Sequence, residues 1–206
     1  MPDAHAITTL PELLALYGDV NANSLRKETP QLTPAYRTWI EAAPFFAIAT
    51  SGPGGLDCSP RGDAPGQLFQ VLDDKTVVIP DRRGNNRLDT LKNLVADPRV
   101  ALLFLLPGIN ECVRINGRAM LTTDPALCER FAMDGKLPVT VIVVAINAVY
   151  FQCARAMIRS RLWDPSSHAQ RPGIPTAGEM TKAADPAFDA ESYDAALLKR
   201  QLGSLY

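Results

Sequence analysis

The centre of the chain alternates between short hydrophobic runs and clusters of Gly, Pro and Asp, whereas both ends show helical spacing. Runs rich in β-branched and aromatic residues, bounded by turn-forming residues, are typical of β-strands. Six or seven strands are therefore predicted, over the segments 45–51, 57–63, 68–74, 76–81, 99–106, 111–121 and 139–150. One helix is predicted inside this region, over Asn85–Val95, because its leucines fall on one helical face. Other helices are predicted near 9–17, 33–40, 124–133, 153–160 and 191–202.

The order of these elements favours an antiparallel architecture. Strands that follow one another through short turns argue for a mostly antiparallel barrel and against a doubly wound sheet. We predict an N-terminal helical segment at 1–42, a barrel domain at 43–165 and a C-terminal arm and helix at 166–206, all parts of one unit. The uncharged run 137–154 is long enough to suggest a membrane helix. Its β-branched stretch Val139–Ile146 instead indicates a buried strand.

The composition argues against several classes of protein. The 206 residues contain 21 Lys and Arg against 22 Asp and Glu, and this balance argues against a non-specific nucleic-acid binder. Only 2 His and 4 widely spaced Cys are present, so we expect neither a histidine-rich metal site nor a disulfide scaffold. The first residues lack the basic and apolar regions of a secretory signal. The sequence therefore predicts a cytoplasmic protein.

Arginine provides the main candidate chemistry. The chain has no GxSxG, GxxxxGK[ST] or HExxH motif, so an enzyme of this sequence would depend on the reactivity of a cofactor. Of the 21 basic residues 15 are Arg, and they are densest in Asp81–Arg87, where a strand ends and the predicted helix begins. Arginine side chains at a helix start form a good phosphate site. A solvated basic loop explains the same pattern equally well.

Two further groups of residues are candidates for a site. Ser59, Arg61 and Asp63 share one face of a predicted strand, so Arg61 can point into a site. Arg114 lies on the strand at 111–121, either in a site or as an outward-facing ion-pair partner. Trp163 follows several arginines after the last strand. Its ring either stacks on a planar group or closes the core.

Taken together, these residues resemble one family of flavoproteins. The stretches are DCSPRGDAPG, VVIPDRRGNNRLDTLKNLVADPRVALLFLLPG and CVRINGRAML. They are similar to the pyridoxamine 5′-phosphate oxidase-like FMN-binding split-barrel proteins, over about Phe45 to Pro165. The closing YFQCARAMIRSRLWDP resembles one subfamily of this group, with Gln152 and Arg155 where that pattern has His and Lys.

The resemblance implies a mostly β fold with helices, an antiparallel split barrel of about six strands with flanking N- and C-terminal helices. It also implies a homodimer that binds FMN at the subunit interface. Ser59 and Arg61 would contact the phosphate and the ring. Arg114 would reach toward the flavin, either that of its own subunit or that of the other subunit. The phosphate would be held by the turn residues Asn85, Asn86 and Arg87. Near the isoalloxazine edge would pack three residues of the C-terminal stretch, Arg159, Ser160 and Trp163.

The implied function is an FMN-dependent oxidoreductase of the pyridoxamine 5′-phosphate oxidase-related type acting on a small molecule, with no catalytic residue and no metal assigned. The chain ends in KRQLGSLY and lacks the terminal Arg-Leu-x-Pro motif of pyridoxamine 5′-phosphate oxidase, which argues against that activity itself. One alternative is a non-catalytic flavin- or haem-binding module of the same fold, with His168 as the candidate haem ligand. The other is a deazaflavin-dependent reductase.

Overall fold

The predicted strands pair into one sheet. The computed structural model describes residues 5–168 and 173–203. The strands of this part of the chain are β1 (Phe45–Gly52), β2 (Gly55–Gly62), β3 (Gln70–Asp73), β4 (Thr76–Pro80), β5 (Arg99–Leu105), β6 (Cys112–Thr122) and β7 (Val141–Gln152). Its α-helices are α1 (Leu10–Ala15), α2 (Ala22–Arg26), α3 (Pro34–Glu41), α4 (Asp89–Ala96), α5 (Pro125–Glu129), α6 (Arg155–Ser160), α7 (Ala177–Ala184) and α8 (Ala190–Leu202). A short 3₁₀ helix spans Pro165–His168.

The sheet is antiparallel and open. Its strand order is β2-β1-β5-β6-β7-β4-β3, and every neighbouring pair runs antiparallel. In the described residues β2 and β3 lie at the two edges and do not pair with each other. These features confirm the predicted split barrel with flanking helices, with seven strands in place of about six.

Alternating side chains of the central strands build the core. Phe46 and Ile48 of β1 and Leu102 and Phe104 of β5 are almost completely buried. The ring centroids of Phe46 and Phe104 lie 5.1 Å apart, and Phe69, which precedes β3, lies 5.2 Å from Phe104. Burial alternates along β1 and β5 because successive side chains of a strand point to opposite faces of the sheet.

Helix α4 is fastened to the β1–β2 hairpin by a buried amide. The Asn93 side chain donates hydrogen bonds to Thr50 Oγ1 at 3.2 Å and to the Gly55 carbonyl oxygen at 3.4 Å. The helix comes so close to the hairpin that a Cβ on Gly52 would lie 2.5 Å from Asn93 Oδ1. Through Asn93, its fifth residue, α4 is therefore held against both β1 and β2.

The predicted helix over Asn85–Val95 is wrong in its first turn. Asn86 and Leu88 have φ angles of 58° and 60°, in the left-handed region, which a right-handed helix does not contain. The helix therefore begins at Asp89. The phosphate-site prediction placed Arg87 at a helix start, and the structure places it in an irregular turn before the helix.

Several other boundaries also differ from the prediction. The strand predicted over 139–150 begins at Val141, where pairing with Thr122 of β6 starts. The helix predicted over 124–133 ends at Glu129, and a two-residue turn at Asp134 and Gly135 follows, with φ angles of 49° and 73°. The strands predicted over 57–63 and 68–74 correspond to β2 and β3, with shifted ends. The helices predicted near 9–17, 153–160 and 191–202 correspond to α1, α6 and α8, also with shifted ends. Helices α2 and α7 had no counterpart in the prediction.

The terminal helices lie outside the sheet. In the C-terminal pair, Asp194 of α8 accepts a hydrogen bond from the Gly178 N–H of α7 at 2.8 Å. The division at residues 42 and 165 stays a prediction. Over residues 5–168 and 173–203, no helix is long and apolar enough to cross a membrane. The same residues contain no group of three His, Cys, Asp or Glu side chains that could hold a metal ion.

Candidate functional site

A cleft of about 900 Å³ opens between three segments of the barrel. Its walls are the end of β2, the segment from Pro80 to Leu91, and the segment from Met133 to Val139. The last of these is held by two backbone hydrogen bonds between Met133 and Lys136, each 2.9 Å long. Lys136 of this segment lines the cleft.

The irregular turn before α4 carries the polar groups of one wall. The Asn85 side chain accepts a hydrogen bond from the Arg87 N–H at 3.1 Å, which stabilises the turn. The Arg87 guanidinium pairs with Asp89 at 2.9 Å and is 75% exposed. No side chain caps the first turn of α4. Free N–H groups of this helix and the arginine side chain thus border the same space.

Another wall is the half-buried face of β2. Asp57, Ser59 and Arg61 alternate along this face and are half-buried, as period-two spacing requires. Arg61 Nη2 donates to Thr90 Oγ1 at 3.2 Å, and Thr90 Oγ1 donates to Asp57 Oδ2 at 2.5 Å. The Ser59 hydroxyl also donates to Asp57, at 2.9 Å. Residues of β2 and α4 therefore form one hydrogen-bonded network at the edge of the cleft.

A second carboxyl group faces Arg61. Burial raises the pKa of Asp81 above its usual value, and the nearby positive charge of Arg61 offsets part of this effect. The Asp81 N–H donates to the Thr140 carbonyl oxygen at 3.0 Å, so the residue has a defined position at the end of β4. Arg61 thus lies near Asp81 and is linked to Asp57 through Thr90.

Two consecutive arginines of this wall have different surroundings. Arg82 donates to the carbonyl oxygens of Phe131 at 2.7 Å and Gln67 at 3.1 Å, and its Nε lies 3.3 Å from Asp63. It links the end of β2 to the segment after β4. Arg83 is exposed and makes no hydrogen bond or ion pair with the described residues. The free donors of Arg83 are available to an anion in the cleft.

A family comparison identifies the chain's relatives. The family model for pyridoxamine 5′-phosphate oxidase matches residues 32–153, more than half of the 206 residues. The chain belongs to this family. The matched range contains every strand of the sheet and every residue that lines the cleft. Membership confirms the resemblance seen in the sequence and assigns the chain to a flavin-related oxidoreductase fold.

Solved structures with a similar fold share little sequence with this family member. A single-residue variant of HupZ from Group A Streptococcus is 17% identical, with a TM-score of 0.49 over 58% of this chain and 98% of that chain. A candidate pyridoxamine 5′-phosphate oxidase from Lactobacillus delbrueckii is 18% identical, with a TM-score of 0.47 over 59% and 95%. The FAD binding protein from Mycobacterium smegmatis is 14% identical, with a TM-score of 0.41 over 60% and 97%. No curated protein sequence matches the chain significantly.

The structure divides the nine predicted cofactor-binding residues of this family member into two groups. Five of them line the cleft: Ser59, Arg61, Asn85, Asn86 and Arg87. The other four lie near the start of β6 and beyond the end of β7: Arg114, Arg159, Ser160 and Trp163. Arg114 stacks on the Tyr150 ring, 5.2 Å from its centroid, and Trp163 Nε1 donates to the Ile109 carbonyl oxygen at 2.8 Å. A single subunit therefore does not bring all nine residues together.

Sequence reasoning missed several residues of the cleft. Asp57 shares the period of Ser59 and Arg61, so its position on β2 offered a signal. Asp81 lies at the end of the basic segment Asp81–Arg87, but that segment did not show that it approaches Arg61. Thr90 offered no signal, because its role depends on how closely α4 approaches β2. The side chain of His168, the candidate haem ligand, lies outside the described part of the structure.

Proposed function

We propose that the protein is a cytoplasmic FMN-dependent oxidoreductase of the pyridoxamine 5′-phosphate oxidase-related type, acting as a homodimer on a small-molecule substrate. The observation that carries the proposal is the cleft, in which Arg61, Arg83 and Arg87 converge around a volume of about 900 Å³ in a member of this family. Such a volume suits a ligand larger than a single small substrate.

The donor groups of the turn fit a phosphate. Arg87 and Arg83 carry guanidinium donors that bind phosphate oxygens well. The uncapped N-terminal turn of α4 adds N–H groups and a partial positive charge. Arg61 reaches the same cleft from β2. In our proposal these groups, with the side chains of Asn85 and Asn86, hold the FMN phosphate.

The protein groups would bind and orient the cofactor. Bound FMN would supply the electron-accepting chemistry that the side chains of this chain lack. The ion pair of Arg82 with Asp63 keeps the end of β2 beside the segment after β4, and so preserves the shape of the cleft. The segment 133–139 lines a third side of the cleft.

The four predicted residues outside the cleft support a dimer with shared sites. Arg114 and Trp163 carry flat cationic or aromatic groups suited to a planar ring, yet they do not line the cleft of their own subunit. On the outer face of the sheet, apolar residues such as Ala47, Leu103 and Leu105 are only half-buried. We propose that two copies pair so that these four residues complete the partner's FMN site.

The first experiment is the visible absorption spectrum of the purified protein, followed by heat release and identification of the chromophore. We expect the two bands of a flavin and release of FMN. In the Arg87→Ala variant we expect a folded protein that loses most of its FMN. The matched control is Arg37→Ala, since Arg37 also forms an exposed ion pair, with Glu41 at 3.0 Å, but lies on α3.

The outcomes separate the proposal from its alternatives. A colourless protein that also fails to bind added FMN would contradict the proposal, and undiminished FMN in Arg87→Ala would contradict the phosphate assignment. Release of a deazaflavin or of haem would identify one of the other classes. A flavin that NADH, NADPH and a panel of small substrates all fail to reduce would indicate a binding module.

A further inference from the structure

Three polar side chains form one corner of the cleft, which we name the Asp57 corner: Asp57, Ser59 and Thr90. Both oxygens of the Asp57 carboxylate accept hydrogen bonds from Ser59 Oγ, at 2.9 and 3.0 Å, and Oδ2 also accepts from Thr90 Oγ1 at 2.5 Å. Thr90 is only 3% exposed, so its hydroxyl group cannot turn to bulk water. The arrangement is built from two elements, β2 and α4.

The hydrogen-bond directions leave this corner without free donors. A hydroxyl group has one proton to donate and two lone pairs that accept. The protons of Ser59 and Thr90 are both directed at Asp57, and one lone pair of Thr90 accepts from Arg61 Nη2. What remains for a ligand is a set of acceptors, the lone pairs of Ser59 and of the carboxylate.

The charges of the corner also disfavour a phosphate. A phosphate placed against Ser59 would lie beside the Asp57 carboxylate, and like charges at such short range repel. Asp81 adds a second acidic group near Arg61. The turn before α4, which carries Arg83 and Arg87, also lines the cleft. The cleft therefore has one wall suited to anions and one corner suited to hydrogen-bond donors.

We infer that the Asp57 corner is a subsite for the hydroxyl-bearing chain of a flavin and that the phosphate is held by Arg61 and the turn before α4, not by Ser59. The inference rests on the proposed function and changes one residue of the site, because it assigns Ser59 to the sugar-alcohol chain. A chain of hydroxyl groups supplies the donors that the corner requires. Its neutral charge avoids repulsion by Asp57.

The test compares two ligands that differ only in the phosphate, riboflavin and FMN, by fluorescence titration of the flavin-free protein. We expect Asp57→Asn and Ser59→Ala to weaken both ligands by a similar factor, about tenfold, as for loss of one or two hydrogen bonds. Arg87→Ala should weaken FMN by about tenfold or more and leave riboflavin unchanged. Asp74→Asn is the charge-matched control, because Asp74 is exposed in the β3–β4 turn outside the cleft.

The ratio of the two affinities decides the outcome. If Asp57→Asn strengthens FMN relative to riboflavin by about tenfold or more, the carboxylate faces the phosphate and the inference is overturned. Unchanged affinities for both ligands, or a wild-type protein that binds FMN but no riboflavin, overturn it as well. A wild-type protein that binds neither ligand refutes the proposed function instead. If Asp57→Asn unfolds, Ser59→Ala decides alone, because the bond between Thr90 and Asp57 survives that change.

Discussion

The consecutive residues Arg82 and Arg83 should have separable effects on stability and on cofactor binding. Arg82 donates to two backbone carbonyl oxygens and pairs with Asp63, a side chain that is only 3% exposed. In Arg82→Ala this carboxylate loses its charged partner while it stays buried. Removing one partner of a buried ion pair costs about 3–5 kcal/mol.

The lower end of this range applies to Arg82→Ala. Asp63 keeps its hydrogen bond from the Ala64 N–H at 2.8 Å, and the Arg82 side chain is itself 20% exposed, so water can replace part of the lost interaction. We therefore expect the free energy of unfolding to fall by about 3 kcal/mol. For a chain of this length such a loss lowers Tm by roughly 6–12 °C.

The assay is urea unfolding of flavin-free protein at about 25 °C, followed by circular dichroism, with Arg83→Ala as the matched control. Arg83 is the next residue in the chain and has no partner among the described residues, so its replacement should change stability by less than about 0.5 kcal/mol. It should instead weaken FMN binding. The reasoning is refuted if the two variants have equal stability, or if Arg83→Ala is the less stable one.

Three further predictions concern packing, titration and the dimer. Gly52→Ala should lower the free energy of unfolding by about 1–3 kcal/mol through overpacking against α4. Gly54→Ala is the control, because nothing lies within 4 Å of the added Cβ, and it should leave the stability unchanged. Equal thermal stability of the two variants would contradict this. Burial raises the pKa of Asp81, so the folded state gains stability as the pH falls toward the usual value of 3.8. Asp81→Asn should therefore stabilise the protein at neutral pH and flatten this rise in a pH series of urea unfolding; an unaltered pH dependence would exclude the assignment. Mixing Arg87→Ala with Trp163→Ala should restore FMN binding to about a quarter of the sites by forming mixed dimers with one intact site, and no recovery would argue against shared sites.

Local patterns in the sequence predicted most of the fold. The hydrophobic runs at 45–51 and 99–106 predicted the strands β1 and β5, because β-branched and aromatic side chains favour a sheet. The Gly, Pro and Asp clusters between the runs predicted the turns. Of the apolar face predicted for α4, Leu94 is buried and Leu91 partly buried, whereas Leu88 and Val95 are exposed. The basic segment at 81–87 was recognised as a candidate phosphate site from its residues alone. These features depend on neighbours within a few positions along the chain.

Contacts between distant segments were decided only by the tertiary structure. The hydrogen bond from Thr90 to Asp57 joins residues 33 positions apart, and the ion pair of Arg82 with Asp63 depends on where two ends of the sheet meet. Neither leaves a periodic signal, because each depends on the packing of whole elements. Whether Arg87 and Trp163 share a site between two subunits, as the resemblance implies, stays a prediction. The sequence by itself thus determined the elements and the chemistry of the turn, and the packing of α4 and β4 against β2 determined which groups share the cleft.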